Sequence, residues 1–213
     1  MASQDRMYFL RNVRCSFPHL FERPIINGNE GKCGAVLMLS EKDTEHMKMA
    51  KALHGMIEQV IKTEAKGSRI PPDRRCLRRG SDGTRAEYDG YWTVNANHKT
   101  RPLVVDADGS SVITSQEACP IYAGCFVNAK INIWYQNNQW GKRVNAGLVA
   151  IQFVGEGEPL DGSYIQPSEA VKGFDATETH DAFGDQPSDQ SSDQSSDTKN
   201  PRNTESNAWD VFG

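Results

Sequence analysis

Phe126-Val127-Asn128-Ala129-Lys130-Ile131-Asn132-Ile133-Trp134-Tyr135 reads as a strand with two unlike faces. Successive side chains of a strand point to opposite sides, so Val127, Ala129, Ile131 and Ile133 form one apolar row. The other row is Phe126, Asn128, Lys130, Asn132 and Trp134, where aromatics alternate with a cation and amides. A polar link, Gln136-Asn137-Asn138-Gln139, leads to a second long run from Arg143 to Phe153, and the pair predicts a β-hairpin.

Working outward, residues 8–17 also alternate, which places Phe9, Val13, Cys15 and Phe17 on one face of a strand, with Arg11 out of pattern. Cys33 to Leu39 reads as a second strand. Ser40 then caps a helix with Glu41 and Asp43 in its first turn, and Met47, Ala50, Leu53, Ile57 and Val60 or Ile61 recur at helical spacing. That helix stops near Ala65-Lys66-Gly67, before the Pro71-Pro72 pair. Further strands are expected over Tyr91 to Asn95 and Leu103 to Asp106. Short strands, one helix and long polar loops argue for a small closed or partly open β-barrel, mainly all-β, in one domain over residues 1–174.

The mixed face of the first strand has the composition that a single-stranded nucleic acid requires. Flat rings stack bases, cations track phosphates and amides meet sugar and base edges. Lys130, Asn132 and Trp134 lead this set, Tyr91, Trp92 and Trp140 extend it, and Arg143 opens the paired strand. Between Lys62 and Arg101 ten cations stand against five acids. Arg74, Arg75, Arg78, Arg79 and Arg85, with Lys99 and Arg101, supply most of that excess, and arginine's planar fork suits phosphate and base stacking better than solubility alone demands.

The charge is unevenly distributed. From Asp175 onward nine carboxylates face only Lys199 and Arg202, whereas the first 174 residues hold 22 Lys and Arg against 19 Asp and Glu. Ser-Asp-Gln-Ser repeats from Ser188 to Ser195 without the apolar content that would offset ordering entropy, so residues 175–213 are read as a disordered acidic tail. Its aromatic tip, with Trp209, Asp210 and Phe212, reads as a peptide held out to a protein partner, and its charge as a competitor for the basic surface.

Other classes find little support in the sequence. Five unevenly spaced cysteines and an N-terminus interrupted by arginines indicate a reduced, cytoplasmic protein, and no run reaches the roughly 20 apolar residues that span a bilayer. There is no Cys-x-x-Cys, and His46 and His54 are eight apart rather than four, so neither metal nor cofactor is expected. No nucleophile–base pair stands out, so no catalytic residue is assigned.

Several stretches occur in a fixed order: Phe17-Pro18-His19-Leu20-Phe21-Glu22, Gly90-Tyr91-Trp92, Asn95-Ala96-Asn97-His98-Lys99-Thr100-Arg101-Pro102, Tyr122-Ala123-Gly124-Cys125, and Ala146-Gly147-Leu148 through to Gly157-Glu158-Pro159-Leu160. This ordered set resembles a family of phage-encoded single-stranded-DNA-binding proteins and, more distantly, podovirus replication proteins of the same kind. The resemblance implies an OB-fold, a five-stranded Greek-key barrel with an inserted helix. It further implies sequence-tolerant binding of single-stranded DNA in replication, recombination or repair, with phage or host replication proteins as partners of the tail. Rival readings are an RNA-binding or strand-annealing factor on the same barrel and, from another class, a nuclease or nucleotide-processing enzyme. Oligomeric state is not readable from the sequence.

Overall fold

The computed structural model describes residues 6–83 and 85–160, together with Gly173. Backbone contacts divide the chain after Gln166, and of the second unit only Gly173 is described. The tail expected from Asp175, with Trp209, Asp210 and Phe212, lies outside the described residues.

Among the described residues ten strands and one α-helix follow in order: β1 Met7–His19, β2 Ile25–Ile26, β3 Asn29–Glu30, β4 Cys33–Ser40, α1 Thr44–Glu64, β5 Leu77–Arg79, β6 Tyr91–His98, β7 Leu103–Val105, β8 Val112–Ile113, β9 Phe126–Asn138 and β10 Gly141–Gly155. Five of the strands make the barrel in the order β6-β4-β1-β9-β10. The ring closes where β10 meets β6 in parallel at Ala146 and Ala96. This is the expected OB-fold barrel, mostly β, with a single α-helix among the described residues. β5 extends β6 on one side, and β7 with β8 extends β10 on the other.

The β9–β10 hairpin follows the alternation, since Val127, Ala129, Ile131 and Ile133 are all fully buried. Its turn lies later than the polar link suggested: both strands run on to Asn138 and Gly141, and Gly141 takes a positive φ of 94° that favours glycine. β1 departs further from its pattern. Leu10 pairs with Ala129 but Val13 with Val127, so one extra residue is inserted around Asn12, whose φ is 51°. The bulge reverses the parity, which puts Leu10 in the core and Phe9 outside. A second extra residue lies between Ser16, opposite Val36, and His19, opposite Gly34, and it turns Phe17 outward.

Asp43, not Ser40, caps α1, its carboxylate accepting from the backbone N–H of Glu45 and His46 at 2.8 and 3.1 Å. Ala50, Leu53, Ile57, Val60 and Ile61 form the stripe that α1 buries against the barrel. His46 ties the helix to the first bulge. Its Nδ1 accepts from the Ser40 N–H at 3.0 Å, so its Nε2 carries the proton and donates to the Asn12 carbonyl, also at 3.0 Å. No described helix is long and apolar enough to cross a membrane.

Candidate nucleic-acid interface

α1 covers one side of the barrel, and the outer face of β6 lies on another. Val94 and Ala96 point into the core, leaving Asn95 and Asn97 outside, where the amide of Asn97 donates to that of Asn95. Gly34 lies beneath them on β4. A Cβ at this position would stand 2.3 Å from the Ala96 carbonyl oxygen and 2.4 Å from Asn97 Oδ1, so only glycine lets the two strands carry this amide pair.

Four hollows meet around these asparagines. The largest, of about 720 Å³, is lined by His98, Lys99, Arg101, Asn132 and Trp134. Its floor is Gly147, which pairs with Asn132; a Cβ there would meet the His98 ring at 3.3 Å and Trp134 Nε1 at 4.0 Å. On the other side of Trp134 a smaller hollow of about 150 Å³ is bounded by Arg74, Arg75, Arg78, Arg143 and Asn145. A third, of about 490 Å³, is walled by Arg78, Arg79, Arg85 and Tyr88. The fourth, of about 580 Å³, is lined by Phe17, His19, Ile26, Arg85 and Tyr88. Lys32 and Asn97 line three of the four, and Asn95 also lines three, so the hollows form one branched trough.

Nine cations border the trough against two carboxylates, Asp73 and Asp82. Their readiness to meet an anion differs. Arg79 is paired with Glu41 at 2.8 Å, and that hydrogen bond holds the Glu41 carboxyl below its ordinary range. Arg75 is committed to Glu58 and to the Ile70 carbonyl, which makes it a brace between α1 and the loop. Arg85 reaches Glu87 at 3.1 Å, and Arg74 donates to the Trp140 carbonyl at 3.1 Å. The side chains of Lys32, Lys99 and Arg143 have no acceptor among the described residues, which leaves their charge free for phosphate. The buried Oδ1 of Asn132 likewise has no partner.

An open basic trough crossed by a tryptophan and a row of amides, on the outer face of an OB-type barrel, has the composition that a single-stranded nucleic acid requires. The family model for the single-stranded-DNA-binding protein of Enterobacter phage Enc34 matches residues 7–183. The chain belongs to this family. Putative protein p50 of Acyrthosiphon pisum secondary endosymbiont phage 1 is 35% identical over 174 residues, covering 75% of this chain and 89% of that one. The solved single-stranded-DNA-binding protein of bacteriophage Enc34 superposes with a TM-score of 0.66 at 28% identity, over 79% of this chain and 91% of its own. The same protein in complex with ssDNA matches with a TM-score of 0.66, over 74% and 90%. A weaker likeness, TM-score 0.47 at 16% identity over 78% and 99%, extends to gp2.5 of bacteriophage T7. The Enc34 family consists of binding proteins, not enzymes.

In this Enc34-family barrel the trough unites Arg74, Arg75, Arg78, Arg79, Arg85, Lys99, Arg101, Asn132, Trp134 and Arg143. Trp140 stands beside it at the hairpin tip, 71% exposed. Three expected residues lie elsewhere. Trp92 shares the parity of Val94 and Ala96, so it points inward and packs on the core beneath α1, next to Met47, Ala50 and His54. Tyr91 opens β6 opposite Ser40, beyond the hollows. Lys130 is exposed farther along β9, between Phe9 and Ala150, outside the trough. On the same row, Asn128 braces the first bulge instead, accepting from the Asn12 N–H at 2.9 Å.

Sequence reasoning missed Lys32, Asn95, Asn97, His98, Tyr88 and Asn145. Asn95 and Asn97 left a signal, two amides alternating with Val94 and Ala96. Lys32 and Tyr88 left none, because they come from separate loops that only strand register brings together. Among the described residues no group of His, Cys, Asp or Glu side chains is placed to hold a metal, and all five cysteines are free thiols.

Proposed function

We propose that the chain coats single-stranded DNA along this trough without strong sequence preference, with bases stacked on Trp134 and phosphates taken by Lys32, Lys99, Arg143 and the neighbouring arginines. One observation carries the reading: a half-buried tryptophan, Trp134, and a row of asparagines line a continuous trough bordered by nine cations and two carboxylates. Stacking and phosphate contacts tolerate any sequence, because every base has a π-face and phosphates carry no base information. The role that fits is protection and organisation of exposed strands during phage DNA replication, recombination or repair, in the cytoplasm of the infected cell. The acidic segment from Asp175 competes with DNA for the trough and recruits replication proteins through Trp209, Asp210 and Phe212, since its charge opposes that of the barrel.

Titration of a fluorescent oligo-dT and of a duplex of equal length, at several salt concentrations, tests this function. Four to six phosphate contacts give a log-log salt slope of roughly −3 to −4 on the single strand, with the duplex bound more weakly. Equal affinity for the duplex contradicts it. Removing residues 175–213 tightens binding at low salt, and the gain shrinks as salt screens the competition; a truncated protein that binds no better at low salt rules out the competing tail.

A further inference from the structure

Phe17 should be a core residue by the alternation of β1, and it is not. The bulge between Ser16 and His19 turns it out with a φ of 48°, a left-handed conformation that is sterically costly for a bulky side chain. The ring is 40% exposed. It does not pack against the apolar core, whereas Phe21, four residues on, does. Backbone strain is thus retained at a place where the core gains nothing from it. What Phe17 does is wall one hollow of the trough, together with Lys32, Asn95 and Asn97, the residues at which the branches meet.

The Arg85 guanidinium lies over the Phe17 ring, 4.4 Å from its centroid. A guanidinium is flat and cationic, and it covers the same π-face that a nucleobase would use. We propose that Phe17 is a second base-stacking platform of the trough and that Arg85 is its removable cover, which moves from the ring to a phosphate as a base takes its place. In the exchange the ring trades a cation for a base, and the arginine, which also holds Glu87 at 3.1 Å, trades the ring for a phosphate. Arg101 covers Phe21 at 4.3 Å in the same manner, but Phe21 is anchored in the core and is not free to stack a base.

The proposal rests on the single-strand-binding function above, so the experiment separates the two. Oligo-dT affinity and thermal midpoint are measured for the full chain and for Phe17→Leu, Phe17→Trp and Phe17→Gly. Leucine keeps the apolar bulk without the π-face, so Phe17→Leu lowers affinity about 5- to 150-fold while the fold survives. Phe17→Trp retains affinity and adds indole emission that oligo-dT quenches beyond the quench of the unaltered protein. Phe17→Gly adopts the positive φ without strain, so it loses the same affinity with no loss of thermal stability. Unchanged affinity in Phe17→Leu overturns the stacking role and leaves the single-strand-binding function standing. Loss of fold in both Phe17→Leu and Phe17→Gly makes Phe17 structural and also overturns it. Failure of the unaltered protein to bind oligo-dT at any salt overturns that function and this proposal with it.

Discussion

Two tryptophans mark two sides of one barrel. Trp134 on β9 stands among cations and amides in the open trough, while Trp92 on β6 lies beneath α1 among Met47, Ala50 and His54. In the sequence both look alike, an aromatic near positive charge. Both are half-buried, but their surroundings differ: α1 lies over Trp92, whereas Trp134 lines two of the hollows, so on the proposed reading only Trp134 is available to a base. Composition identifies candidates, and topology divides them into packing and recognition.

Substitutions test that division, and the largest effect belongs to the covered side. Trp92→Ala removes a large side chain from beneath α1 and costs about 3 to 5 kcal/mol of stability by urea denaturation, while each folded molecule binds oligo-dT as before. A stable Trp92→Ala protein with weakened binding would erase the distinction. Trp134→Ala should do the reverse, weakening oligo-dT binding by about 1 to 3 kcal/mol with the urea midpoint retained. Loss of fold without loss of binding per folded molecule would place Trp134 in the core. Arg143→Gln removes one phosphate partner, so the log-log salt slope becomes shallower by about 0.7 and affinity falls alike for all sequences. His54→Ala, an exposed position on the covered side, changes stability by no more than about 0.5 kcal/mol and leaves the slope unaltered.

The barrel was readable wherever alternation ran without interruption, as over β9 and β10, where the apolar row marks the inside. Alternation fails in β1, because two inserted residues reverse the parity and no local feature of Arg11, Asn12 or Phe17 announces a bulge. The helix was legible, but its cap was placed three residues early: Ser40 and Asp43 are both good caps, and the choice depends on where β4 releases the chain. The arginine cluster and Trp134 are legible as candidates by type, and the fold brings them into one trough. Which arginines hold protein partners was not, since Glu41 and Glu58 reach Arg79 and Arg75 only through the fold. Trp92 is a candidate by composition, but its parity with Val94 and Ala96 marks it as inward-facing.

Hydroxyl-radical footprinting with and without oligo-dT tests the central claim most directly, because it reads both sides of the barrel at once. Protection of Trp134, His98 and Tyr88 on binding, with Trp92, Met47 and His54 unchanged, is the predicted result. Protection centred on α1 and Trp92, with Trp134 left open to attack, would contradict the claim that the trough holds the strand.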